Sequence, residues 1–237
     1  MPNLSRTFVK KISSGNEISH KPVQQHLRYL RSMYIPNYFR NKKLPELEAF
    51  IRENPFAILV NQHDGKPWAT HIPVELEKNE SGENVLWCHV AKANLQWKVF
   101  ENNPDALVIF SGAHHYISSS WYNHINVPTW NFIAVHVYGK VKIMSEENFL
   151  EALRRLVHRY ETASKNPVSV ETMPQDFVQR LIKGAVGFEI SIDKIEGKWK
   201  LSQNRDDESA LNVIRELEEL NDYNAQNIAD EMKKLKS

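Results

Sequence analysis

Between Phe56 and Val90, three apolar runs of strand length are separated by two turn signals, and no other feature of the 237 residues constrains the fold as much. The run from Phe56 to Asn61 ends at His63-Asp64-Gly65-Lys66. A second run follows from Trp68 to Leu76, rich in β-branched residues. Asn79-Glu80-Ser81-Gly82-Glu83-Asn84 marks another turn before the run from Val85 to Val90. Strand, turn, strand, turn, strand at this spacing predicts an antiparallel meander. Asp105 to Ser111 and Gly187 to Ile195 read as further strands. From Asn131 to Met144, Phe132, Ala134, His136 and Tyr138 alternate with Ile133, Val135 and Val137, as a long barrel or sandwich strand requires. Helical spacing is expected at Leu44–Ile51 (with Pro45 in its first turn), Leu95–Glu101, Ser145–Tyr160 and Gln175–Ile182. Asp206 to Leu235 reads as one acidic helix with Leu211, Ile214, Leu217, Leu220, Ile228, Met232 and Leu235 on its apolar stripe. The expected class is mainly β with α decoration, a barrel of about six strands with inserted helices.

Composition removes several function classes. The net charge is +1, so there is no overall field to gather nucleic acid or anionic membrane. A single cysteine, Cys88, excludes an internal disulfide framework and a cysteine-based zinc knuckle, and fits a reducing, cytoplasmic setting. No apolar run approaches the roughly 18 residues of a spanning helix. Neither G-x-G-x-x-G nor a P-loop occurs, and there is no G-x-S-x-G elbow. Metal binding is not expected, since no H-E-x-x-H and no H-x-H is present. Arg154-Arg155-Leu156-Val157-His158-Arg159 is a basic helical patch, but Glu147, Glu151 and Glu161 surround it and no helix-turn-helix pair is visible, so direct DNA binding is doubtful.

The charge is uneven along the chain. Residues 1–43 carry a net +8 and residues 206–236 a net −5. Residues 1–32 read as a basic extension, with a transit peptide or an anion-seeking arm as alternatives. The organised text opens at Met33, giving a domain over 33–205 and a helical tail over 206–237.

The unusual residues collect in the middle. Seven of ten histidines lie between His63 and His136, and five of six tryptophans between Trp68 and Trp130. Aromatic faces with imidazole edges suit a flat, partly polar ligand, though large aromatics also fill barrels.

Met33-Tyr34-Ile35-Pro36-Asn37-Tyr38-Phe39, Thr70-His71-Ile72-Pro73, His89-Val90-Ala91-Lys92-Ala93-Asn94 with Gln96-Trp97-Lys98, Tyr116-Ile117-Ser118 with Trp121-Tyr122, Val127-Pro128-Thr129-Trp130-Asn131 and Lys200-Leu201-Ser202-Gln203-Asn204-Arg205 together resemble the PaiB-like family of FMN-binding split-barrel proteins. The resemblance implies a six-stranded antiparallel split barrel acting as a homodimer, with FMN in the clefts between subunits. Its members are often described as negative transcriptional regulators.

On that resemblance, Lys92 and Lys98 would supply charge to the flavin phosphate, while Asn94 and helix N–H groups supply hydrogen bonds. Thr70 and His71 would run beneath the ring system, with Ile72 and Pro73 in apolar contact. Gln203 and Asn204 would meet the pyrimidine edge. Trp121, Tyr122 and Trp130 would wall the cleft, and His89 and Arg205 complete the candidate cofactor set. Leu95, Ala113 and Ser119 stand where the family usually has proline, and Lys92 where it often has arginine, which loosens turns and gives up a bidentate fork. The expected role is an FMN-binding regulator. A flavin-dependent oxidoreductase and, more remotely, a haem-binding barrel are the alternatives; His71, His89 and His115 are the acid–base candidates.

Overall fold

The structure is a computed structural model and describes residues 32–236, so the reading of the basic N-terminal extension falls outside the described residues except at Ser32. Seven strands form one antiparallel sheet: β1 (Arg40–Asn41), β2 (Phe56–His63), β3 (Lys66–Lys78), β4 (Asn84–Ala91), β5 (Asp105–Ile117), β6 (Thr129–Ile143) and β7 (Ala185–Lys200). Their order is β1-β7-β4-β3-β2-β5-β6, and an additional β7–β6 pairing brings the sheet round into a barrel. β1 is a two-residue addition beside β7 that the sequence pattern did not mark, so six long strands make the wall.

The expected meander is present, and its chemistry is local. Asp64 and Gly65 take φ of 48° and 74°, the positive values that a two-residue hairpin turn demands. Strand alternation then fills the core with Ala57, Leu59, Val108, Phe110, Val135 and Val137. β7 is longer than its apolar run suggested, because it pairs β4 through Val85↔Ser191 to Ala91↔Ala185 and β6 through Ile143↔Phe188 to Phe132↔Lys200. Gly139 permits that closure. A Cβ there would lie 2.0 Å from the Ser191 carbonyl oxygen.

Among the described residues, five α-helices decorate the barrel. α1 (Leu44–Glu53) buries Leu47, Phe50 and Ile51. α2 (Glu146–Glu161) starts where Ser145 Oγ accepts from Asn148 N at 3.2 Å, and α3 (Gln175–Gly184) follows. Phe149, Val178 and Ile182 form a small second core between these two helices and the barrel wall. The expected single C-terminal helix is instead two, α4 (Asp207–Glu219) and α5 (Tyr223–Lys234). Leu220 turns to extended backbone, and Asp222 starts a new helix by accepting from Ala225 N at 2.8 Å. Both helices pack on their own barrel: Val213, Leu217, Ile228 and Met232 belong to the main core. The helix expected at 95–101 is a tighter 3-10 turn over Leu95–Val99.

Candidate functional site

The residues singled out from sequence fall into two groups. The first gathers where the 3-10 turn crosses one end of β3. Asn94 caps that turn, its Oδ1 accepting from Gln96 N at 3.1 Å, while its Nδ2 donates to Thr70 Oγ1 at 3.0 Å. Thr70 in turn donates to Gln96 Oε1 at 2.5 Å. Gln96 is wholly buried and donates to Asn61 Oδ1 at 2.9 Å and to the Trp68 carbonyl at 3.3 Å. Sequence reasoning missed Gln96 as a site residue, although the Gln96-Trp97-Lys98 words carried it. Its amide organises the whole group.

Lys92 and Lys98 flank this network and both are exposed. Lys98 Nζ lies 5.8 Å from the Trp97 ring, and Lys98 lines an open cleft of about 520 Å³ with Trp68, Asp64 and Asn103. The Trp97 indole N–H donates to the Lys92 carbonyl at 3.0 Å, which ties the two lysine segments together. Asn94 Oδ1 accepts from the Gln96 amide and Asn94 Nδ2 donates to the Thr70 hydroxyl, so the Asn94 side chain expected to serve a phosphate is engaged within the protein. What remains for an anion is the charge of the two lysines.

Ile72 faces the core at 2% exposure and touches no external ligand. His71 is on the opposite face, exposed, its ring stacked on Phe56 at 6.1 Å. His89 also faces outward but lies under α2, 5.8 Å from Phe149, and burial holds its pKa below the usual histidine range. Cys88 is buried, and burial with the nearby Glu75 pushes its thiol far up, so it carries no thiolate chemistry.

The second group surrounds the C-terminal end of β5 and the turn after β7. Trp130 is 53% exposed, with Tyr116 at 6.1 Å edge-on and His114 at 6.2 Å. Tyr122 is buried, stacked on His124 at 5.9 Å and overlaid by the Arg205 guanidinium at 4.7 Å. Its hydroxyl has no hydrogen-bond partner among the described residues. Trp121 sits beside it in a 3-10 turn, and Asn204 is exposed. Gln203 spends part of its amide inside the protein: Oε1 accepts from Leu201 N at 2.7 Å and Nε2 donates one N–H to the Trp199 carbonyl at 2.6 Å. Ser202 holds a φ of 64° and exchanges hydrogen bonds with the buried Asn131. Much of the Lys200–Arg205 motif therefore shapes the end of β7.

Strand register separates the groups. Thr70 is level with Leu59 and Val108, whereas Trp130 is level with Tyr116. Tyr116 stands eight residues beyond Val108 along β5, roughly 25 Å of strand. Elsewhere, the basic patch of α2 is turned to packing. Arg154 pairs with Glu171 at 2.9 Å, and Arg155 pairs with Glu77 at 3.0 Å and covers the Trp87 ring at 5.0 Å. Among the described residues no cluster of three or more histidine, cysteine, aspartate or glutamate side chains is arranged to hold a metal, and no helix is long and apolar enough to cross a membrane.

A closed antiparallel barrel with helical insertions defines a split-barrel protein. The chain belongs to the family described as "Putative FMN-binding domain", which matches residues 33–194. It is 40% identical over 200 residues to "Protease synthase and sporulation protein PAI 2" of Bacillus subtilis (strain 168), covering 84% of this chain and 96% of that protein. Among solved structures, the flavocytochrome Anf3 from Azotobacter vinelandii is similar with a TM-score of 0.55 at 20% identity, over 75% of this chain and 78% of that one. The FAD and heme binding protein from Mycobacterium smegmatis is similar with a TM-score of 0.53 at 14% identity, over 73% and 78% of the two chains. At those identities the structural likeness concerns the fold.

Proposed function

We propose that two copies of this chain hold FMN in clefts between them, and that the protein acts as a flavin-dependent regulator. The separation of the two residue groups along β5 carries this reading. One flavin nucleotide, whose phosphate and ring are joined by a ribityl chain, falls short of bridging roughly 25 Å. Two copies placed with their outer faces together would bring the lysine-flanked end of one against the aromatic end of the other. The outer face offers apolar rows for that contact: Val60, Leu107 and Tyr138 in one, Ile58, Ile109 and His136 in the next, all half-buried, with Phe56 67% exposed beside them.

The residues fit the cofactor in charge more than in hydrogen bonding. Lys92 and Lys98 would hold the phosphate, each charge-assisted bond contributing about 1.5–3 kcal/mol. His71 and Pro73 on β3, with Trp121 from the second copy, would flank the ring. FMN held there would supply redox chemistry. The regulatory role rests on the resemblance to the PaiB-like family, and the Bacillus relative is named for protease synthesis and sporulation.

Absorbance and fluorescence spectra of the purified protein, with and without FMN, test this together with its mass by light scattering. The expected result is a dimer that binds FMN with quenched fluorescence, weakened at least about tenfold by Lys92→Ala or Lys98→Ala. A monomer, or flavin affinity indifferent to both lysines, would overturn the cleft.

A further inference from the structure

The outer face of β7 ends in three cations without carboxylate partners among the described residues. Lys198 and Lys200 lie two apart on one side of the strand, and Arg205 follows in the turn. Lys200 Nζ donates to Thr129 Oγ1 and, at 2.6 Å, to the carbonyl of Trp130. Two of its three protons are thus held by neutral acceptors, and the third is left for another. Lys198 Nζ donates to the Tyr34 carbonyl at 3.0 Å and stands 5.2 Å from the Phe132 ring. The acids adjoining this cluster in sequence are engaged elsewhere. Glu196 takes Lys194 at 2.6 Å and the Met33 N–H at 2.8 Å, while Asp206 caps α4 by accepting from Ser209 N at 2.9 Å and faces His124.

The cluster also carries an electrostatic cost. Arg40 is the cross-strand neighbour of Lys198 and adds a further positive charge. Burial, followed by repulsion from Lys198 and Arg205, lowers the pKa of Lys200 from the ordinary lysine value. Like charges gathered in a partly desolvated place are relieved when an anion joins them. The half-exposed face of Trp130, whose own carbonyl holds Lys200, supplies a surface on which a flat ring can stack beside that anion.

We propose that Lys198, Lys200 and Arg205 form an anion subsite for the carboxylate or phosphate of a flat aromatic ligand stacked on Trp130, separate from the lysines assigned to the flavin phosphate. The subsite stands on one chain. Only its role beside a flavin, as the place of a co-substrate or effector, rests on the cleft reading above.

The test titrates the full-length protein with benzoate, phenyl phosphate and inorganic phosphate, with and without saturating FMN, following tryptophan fluorescence and melting temperature. Saturable binding of benzoate or phenyl phosphate, unaffected by FMN, is expected, and the stronger of the two identifies the anion. Inorganic phosphate should bind at least about tenfold more weakly, because it lacks the ring. Lys200→Met should weaken aryl-anion binding at least about tenfold, Lys200→Arg should restore most of it, and FMN affinity should stay within about twofold in both. Aryl-anion binding that is absent, or unchanged in Lys200→Met and Lys198→Gln, overturns the subsite. So does competition with FMN accompanied by loss of FMN from these variants, since the cluster would then belong to the flavin. Equal binding of inorganic phosphate overturns the stacked ring. Should Lys200→Met fail to fold, judged by circular dichroism, Lys198→Gln alone decides. Wild-type protein that takes benzoate through Lys200 but ignores FMN upholds the subsite and sinks only the flavin reading.

Discussion

Arg159, near the end of α2, donates to the buried carboxylate of Glu75 on β3, 84 residues away in sequence. The same guanidinium donates to the Arg52 carbonyl at 2.8 Å, so one side chain ties α2 to both the barrel wall and the end of α1. The Glu75 side chain is only 6% exposed and its other oxygen has no hydrogen-bond partner among the described residues, so this ion pair anchors α2 to the barrel.

Removing Arg159 strands a charge. Arg159→Ala is expected to cost about 3 kcal/mol, toward the low end for breaking a buried pair because Arg159 is itself 36% exposed. Glu75→Leu combined with Arg159→Met should recover most of that loss, since neither charge is then buried alone. Urea denaturation of the single and double variants measures both. A double variant no better than Arg159→Ala would mean the anchoring is steric.

His89 gives the fold a pH dependence of known sign. Burial under α2 lowers its folded pKa from the ordinary value of 6.5. Above that value the imidazole is neutral in both states and costs nothing. As pH falls below it, the unfolded chain takes up a proton that the folded chain resists, so stability declines toward the folded pKa. Melting temperature should therefore fall between about pH 7 and pH 5, and His89→Gln should flatten part of the decline. His136 is depressed in the same direction by burial, opposed by Glu196, and accounts for a further share. An unchanged acid profile in His89→Gln would assign the whole decline to other groups.

Ser202 sets a strained backbone against a buried hydrogen bond. Its φ of 64° costs a residue with a side chain about 1 kcal/mol, while its hydroxyl satisfies Asn131, which is wholly buried. Ser202→Ala keeps the strain and loses the bond, so a loss of about 1–2 kcal/mol is expected. Ser202→Gly loses the bond but relieves the strain, and should be the milder change by about 1 kcal/mol. Chemical denaturation that ranks Gly as the more damaging would place the turn's rigidity above its strain.

Gln96 closes the polar network at the lysine-flanked end of the barrel. Its removal leaves Thr70 without this acceptor and Asn61 Oδ1 without this donor, and Asn61 Nδ2 already has no partner among the described residues. Gln96→Leu is expected to cost about 2–3 kcal/mol. Combining it with Asn61→Leu should be distinctly less than additive, because the two amides serve each other. Strict additivity in a double-mutant cycle would show that they act independently.

The meander, the Asp64-Gly65 turn and the alternation of β6 were legible in the sequence because each is set by contacts within one or two strands. The family was legible because its motifs keep their order from Met33 to Arg205. Other features depend on partners far along the chain. The C-terminal helix breaks at Asp222, where a side-chain cap competes successfully with an unbroken apolar stripe. The apolar Ile72 is drawn into the core by strand alternation, while its neighbour His71 faces outward. Gln203 bends back on its own turn, and Gln96 becomes a hub only because β2, β3 and the 3-10 turn converge on it. By itself the sequence determined the strands, the turns and the family, since these follow from periodicity and residue chemistry at short range. Which side chains spend their hydrogen bonds inside the protein, which cations stand without acids among the described residues, and how far apart the two groups of candidate residues lie were decided only by tertiary structure, because each depends on the register of strands that barrel closure brings together.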